Sequence, residues 1–203
     1  MIIEICLLST YETYDKLGLL KFSKWTLKLK RWDKQMLGLP RGEVFLVPWS
    51  IEWTKEFERE KRKIIGDIGQ YTVNVHHIGS TAVKGLSAKP IIDIAIEIDH
   101  FFDGEKCVVA LEGLGYSYKG TNVLPERHYF NKGEPRTHQI HMYQRHNKYL
   151  LEQLNFRDYL RSNKLVRIEY EQLKLNLSSL IKNDKHKYAE GKTNFVQSIL
   201  ERI

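Results

Sequence analysis

HIGSTAVKGLSAKPIIDIAIEI, residues 77–98, is the stretch whose reading decides the fold. Its first part is a loop of small residues with two glycines, Gly79 and Gly85, and two lysines, Lys84 and Lys89. Glycine lets a backbone turn where other residues resist, so amide groups can be aimed at an anion. The second part, after Pro90, alternates isoleucine with Asp93, Ala95 and Glu97. Side chains alternate faces along a strand. Ile92, Ile94, Ile96 and Ile98 are therefore expected to bury against helices. Asp93 and Glu97 would share the other face and line one polar cleft.

Loop and strand together suggest a chemistry. Ser80 and Thr81 supply hydroxyl donors, and Lys84 and Lys89 can neutralise phosphate charge. A hard cation such as magnesium takes carboxylate oxygens and completes its shell with substrate phosphates. A phosphate-holding loop before an acid-bearing strand suits metal-assisted phosphoryl or nucleotidyl transfer. The bland alternative is a tight connection between two strands with Asp93 facing solvent.

Working outward, EVFLVPW (43–49) reads as a short strand ended by Pro48. Ser50 can then cap a helix whose apolar face is Trp53, Phe57, Ile64, Ile65 and Ile68. YTVNVHHI (71–78) is β-branched and aromatic, as strands are. DGEKCVVALEGLGY (103–116) predicts a helix of about three turns capped by Asp103. GYSYK, RHYFNKG (127–133) and THQIHMYQ (137–144) read as further strands. From Lys148 the period changes to that of helices. The expected fold is α+β, a mixed β-sheet with flanking helices followed by a helical C-terminal segment.

In THQIHMYQ, Gln139 and His141 share a face. If that strand neighbours 91–98, His141 approaches Asp93 as a metal ligand or proton carrier. Arg127 and Arg136 are candidates to clamp phosphate. Lys185, Lys187 and Lys192 of the tail face the cleft only if the last helices fold back. Otherwise they are surface.

Composition bounds the rest. The 203 residues are 42% hydrophobic and 28% charged, as in an ordinary globular protein. The cysteines, Cys6 and Cys107, have no metal-type spacing and read as reduced thiols in a cytoplasmic setting. A net charge of +7 suits a phosphate-bearing partner, with nucleic acid not favoured. No apolar run reaches the length of a membrane span. The start, MIIEICLLST, carries Glu4 and lacks a preceding basic residue, unlike a signal peptide. Residues 1–35 include the basic KFSKWTLKLKRWDKQ and are expected to be a poorly ordered extension or an amphipathic helix for an acidic partner. Met36 is an alternative start, with the patterned domain spanning 36–203 and its helical tail beginning near 148.

These residues resemble the GrpB-like, or "glutamate-rich protein", family. HIGSTAVKGLSAKPIIDI looks like its signature, and MLGLPRGEVFLVPWSIEWTKEFERE, ALEGLGY, RTHQIHM, FRDYLRSN, YEQLK and YAEGKTNF match as well. The label fits the composition badly, since Lys plus Arg number 32 and Asp plus Glu 25. The resemblance implies a nucleotidyltransferase (polymerase-β-like) core. Gly79 and Ser80 match that superfamily's Gly-Ser pair, and Asp93 its first acid. The second acid falls on Ala95, and the later strand offers Gln139 and His141 in place of the third.

Two functions follow as expectations. One is an enzyme moving a nucleotidyl group from a triphosphate to an acceptor. It would use Mg2+ or Mn2+ on Asp93, His141 and Glu97, with Asp93 and His141 catalytic and Gly79, Ser80, Thr81 and Lys89 on the triphosphate. The other is a nucleotide or phosphometabolite binder without turnover, favoured by the missing second acid. A third reading makes the chain an interaction protein acting through its basic amino-terminal segment.

Overall fold

A computed structural model of the chain describes residues 37–122 and 126–203. The expectations for the amino-terminal extension and Met36 lie outside the described residues.

Helix α1 (Ile51–Ile68) starts where Ser50 accepts a hydrogen bond from the Glu52 amide through its side chain. Its buried face is Trp53, Phe57, Glu60, Ile64 and Ile68, while Ile65 is exposed. Ile65 thus departs from the expected apolar face. After a 3-10 turn come β1 (Thr72–Ile78), a second 3-10 turn (Ser80–Ala82) and β2 (Ile92–Ile98). Two short helices follow, α2 (Asp103–Lys106) and α3 (Val108–Gly113), then β3 (Tyr116–Tyr118), β4 (His128–Lys132) and β5 (His138–Gln144). The tail is α4 (Lys148–Ser162), α5 (Lys164–Leu180), α6 (Lys185–Glu190) and α7 (Thr193–Leu200).

The strands form one mixed sheet in the order β1-β2-β5-β4-β3. β2 and β5 pair in parallel and the other pairs are antiparallel. Parallel neighbours need a long crossover, and here it contains α2, α3 and the β3–β4 pair. The register sets Asp93 beside Gln139 and Ala95 beside His141.

Alternation in β2 works as expected. Ile92, Ile94, Ile96 and Ile98 are fully buried in a core with Trp53, Phe57, Ile64, Leu111, Phe130, Ile140 and Met142. Ala95 joins a smaller cluster on the opposite face with Ile78, Tyr143 and Leu150 of α4. A third cluster joins Val83 and Leu86 of the Gly79–Pro90 loop to Leu160 and Tyr170 of the tail.

Two local expectations fail. Residues 43–49 form no strand; Val47 makes an isolated bridge to Ala88. The helix at 103–116 is split at Cys107, and Asp103 caps nothing. Its carboxylate instead accepts from Lys106 at 2.8 Å.

Candidate functional site

The loop turns at Gly79, where φ is +69°, in the left-handed region that favours glycine. A Cβ there would lie 2.6 Å from Asp93 Oδ2, so the loop folds directly against the carboxylate. Thr81 is buried, and its hydroxyl donates to the Ile91 carbonyl at 3.2 Å. His77 Nε2 lies 3.0 Å from Thr81 Oγ1, whose proton is already given to Ile91, and donates to it. His77 stacks on Phe57 at 4.7 Å. Burial, aided by Arg161, Arg157 and His138 against the pull of Asp93, lowers its pKa to about 4. His77 is a neutral brace for the loop, and the Thr81 hydroxyl is spent inside it.

The tail grips the loop from the other side. Arg157 of α4 donates to the His77 carbonyl at 3.0 Å, and Arg161 donates twice to the Ala82 carbonyl. Glu171 of α5 accepts from the Ser87 amide at 2.8 Å. Lys174, only 1% exposed, donates to Ser80 Oγ and to the Ser87 carbonyl.

Asp93 is held by its neighbour strand. Gln139 Nε2 donates to Oδ1 at 3.0 Å, and the Tyr129 hydroxyl fixes Gln139 by donating to its carbonyl oxygen. Arg127 donates to His141 Nδ1 at 2.6 Å. An arginine side chain only donates, so Nδ1 is the acceptor and the ring proton sits on Nε2. That nitrogen faces Asp93 Oδ1 at 3.7 Å.

A cavity of about 300 Å³ opens between loop and tail. Asp93 is the one carboxylate among its described lining residues, against the amines of Lys89, Lys174 and Lys192. Lys89 and Lys192 both reach the Tyr188 ring, at 5.4 and 4.7 Å from its centroid. Lys174 lies 5.0 Å from the Tyr170 ring. Burial and the charges of Lys192 and Lys89, opposed by Glu171, lower Lys174 to about 7. Burial and Lys89, opposed by Asp93, lower Lys192 to about 8. Lys89 is lowered by burial, with Asp93 opposing and Arg136 and Lys185 adding to the fall. Buried like charges resist ionisation in this way when counter-charge is short.

Gly79, Ser80, Thr81, Lys89 and Asp93 therefore come together as expected. Others do not. Lys84 is exposed and outside the lining. Arg127 is buried, bound to His141 and stacked over Tyr129, and does not line the cavity. Arg136 is half-buried and does not line the cavity, and its charge acts on Lys89. Glu97 lies four residues along β2 from Asp93, about 13 Å at the usual strand rise. It accepts from Asn74 at 2.9 Å and pairs with His76 at 3.0 Å. The expected shared cleft of Asp93 and Glu97 is thus wrong. Lys192 lines the cavity, whereas Lys185 and Lys187 do not. Lys174, Tyr170, Tyr188 and Arg157 escaped the sequence reading. For Tyr170, Lys174 and Tyr188 the only signal is an aromatic and a lysine four apart, in YEQLK and YAEGK, and Arg157 carries none.

These donors do not fit a resident divalent ion. Asp93 offers a single carboxylate, position 95 is alanine, and His141 turns a protonated nitrogen toward it. Three lysine amines line the same cavity. Elsewhere, the ligand atoms of Glu56, Glu60 and His138 lie within 4.8 Å of one another, on the opposite side of the sheet. The ammoniums of Lys132 and Lys63 already pair with Glu60 there.

Comparison with known proteins places this geometry among relatives. A family model described as "GrpB protein" matches residues 43–202. The chain is similar to the "Glutamate-rich protein GrpB" of Alkalihalophilus pseudofirmus, 37% identical over 83% of this chain and 100% of that one. It is 33% identical to the UPF0157 protein YqkA of Bacillus subtilis over 80% of its length, spanning 48% of YqkA. A crystal structure of GrpB from Enterococcus faecalis superposes with a TM-score of 0.73 at 32% identity, covering 78% of this chain and 96% of that one.

Proposed function

The chain belongs to the GrpB family, and from that premise we propose that its cavity binds a nucleotide or another phosphorylated small molecule of the cytosol. One observation carries the reading: three lysine amines and a single carboxylate line a space of about 300 Å³. Ammonium groups partly removed from water need an anion, and phosphate is a common one of matching charge. The apolar wall of Phe156, Leu160 and Val196 gives the organic part of such a ligand a surface to pack on.

The nucleotidyltransferase-like core is the finer reading. Gly79, Ser80 and Asp93 stand in that superfamily's order, with Ala95 at the second acid and His141 on the neighbouring strand. Two-ion transfer needs carboxylates that bridge the metals. The present donors do not supply them, so we favour binding without turnover over Mg2+- or Mn2+-dependent transfer.

A thermal-shift series with ATP, ADP and ribose 5-phosphate, with and without a chelator, tests this. A ligand at a hundred times its Kd adds about 2.7 kcal/mol to apparent stability. Stabilisation that survives the chelator, with no nucleotide-derived product, is the expected result. Metal-dependent product formation that vanishes in Asp93→Asn would restore the transferase reading.

A further inference from the structure

The amine of Lys192 has a setting that phosphate binding alone does not require. It lines the cavity, and no hydrogen-bond acceptor or carboxylate within ion-pair distance holds it among the described residues. Lys89 brings a second amine to the same Tyr188 ring. Lys192 is also the residue from which α7 starts, where the helix dipole disfavours positive charge. The groups facing it are Lys89, Asp93, Lys174 and Tyr188, of which only Asp93 is a carboxylate. Lys174, by contrast, is tied by two hydrogen bonds. A lysine that is desolvated and next to another cation keeps a larger share of free amine and acts as a nucleophile.

We propose that Lys192 is a nucleophilic lysine that condenses with a phosphorylated aldehyde bound in the cavity. The assignment rests on the phosphate reading above. The nitrogen lone pair adds to the carbonyl carbon, and the carbonyl oxygen takes up the π electrons to give a carbinolamine. That oxygen leaves as water, carrying one proton from the nitrogen and one from solvent, and the nitrogen keeps its other proton as a cationic iminium. A carbon–nitrogen double bond remains, and the step needs no oxidant or reductant. Lys89 stands beside the reacting amine and holds the phosphate. The lowering of Lys192 to about 8, by burial and then by Lys89, agrees with this role.

The test uses the full chain with pyridoxal 5′-phosphate as the probe, borohydride to trap the imine, and peptide mapping. A single adduct on Lys192, blocked by pyrophosphate and absent from a folded Lys192→Arg variant, is expected. Adducts spread over surface lysines, or placed on Lys89 or Lys174 instead, would overturn the assignment. Pyridoxal without its phosphate is the second arm. If it labels Lys192 as fast and pyrophosphate does not protect, the nucleophile stands and the phosphate reading falls.

Discussion

Asp93 Oδ2 occupies the space that a side chain at Gly79 would need, 2.6 Å from where the first carbon would sit. Loop and carboxylate are one unit, and neither can change without moving the other. Gly79→Ala adds a clash to a strained φ of +69°. We expect it to lower stability by about 1–3 kcal/mol and to abolish ligand binding. Urea unfolding and titration with pyrophosphate check both effects. Wild-type stability with intact binding would mean that the two do not touch in solution.

Asp93 is also the internal counter-charge of Lys89 and Lys192. An incoming phosphate meets its repulsion. With a chelator present, Asp93→Asn should bind pyrophosphate more tightly, by about 1 kcal/mol or roughly fivefold. A carboxylate that holds a metal for the ligand predicts loss instead, so the sign of the change separates the two roles in one calorimetric titration.

The parts of this site legible in sequence were those whose spacing is local. The alternation from Ile92 to Ile98 gave both the buried face and the strand, and Gly79 with Pro90 bounded the loop. Lys174 and Ser80 lie 94 residues apart, and only the return of the tail onto the loop joins them. Nothing in YEQLK announces a buried amine. Glu97 lies off the cavity because period two fixes the face of a side chain, not its distance along the strand. EVFLVPW has strand composition but bridges only at Val47, whose amide and carbonyl both bond Ala88; the next ladder position, Phe45, falls opposite Pro90, which has no amide to donate.

Arg127 acts on Asp93 through His141. It donates to Nδ1 and so keeps the ring proton on Nε2. Arg127→Met should release that preference and populate both tautomers of His141, read from its ring nitrogen shifts by NMR. An unchanged spectrum would show that another group sets the tautomer.

Glu60 predicts an acid limit to stability. Burial pushes its carboxyl up, but hydrogen bonds and charge from Lys132 and Lys63, with His138, overcome this and hold it at about 2. Its folded pKa lies below the unfolded value of 4.5, so its contribution is complete above pH 4.5 and is lost as pH falls toward 2. The amount is on the order of 3 kcal/mol. Glu60→Gln should flatten the stability profile across that window, as followed by urea unfolding at each pH. An unaltered slope would place the acid sensitivity elsewhere.

Isothermal titration of the full chain with pyrophosphate, in chelator at low and then high salt, probes the cavity most directly. Saturable binding without metal, weakened by salt and lost in a Lys89→Met, Lys192→Met double variant, is what three amines and one carboxylate require. Heat only when magnesium or manganese is added, or the same affinity in the double variant, would contradict it.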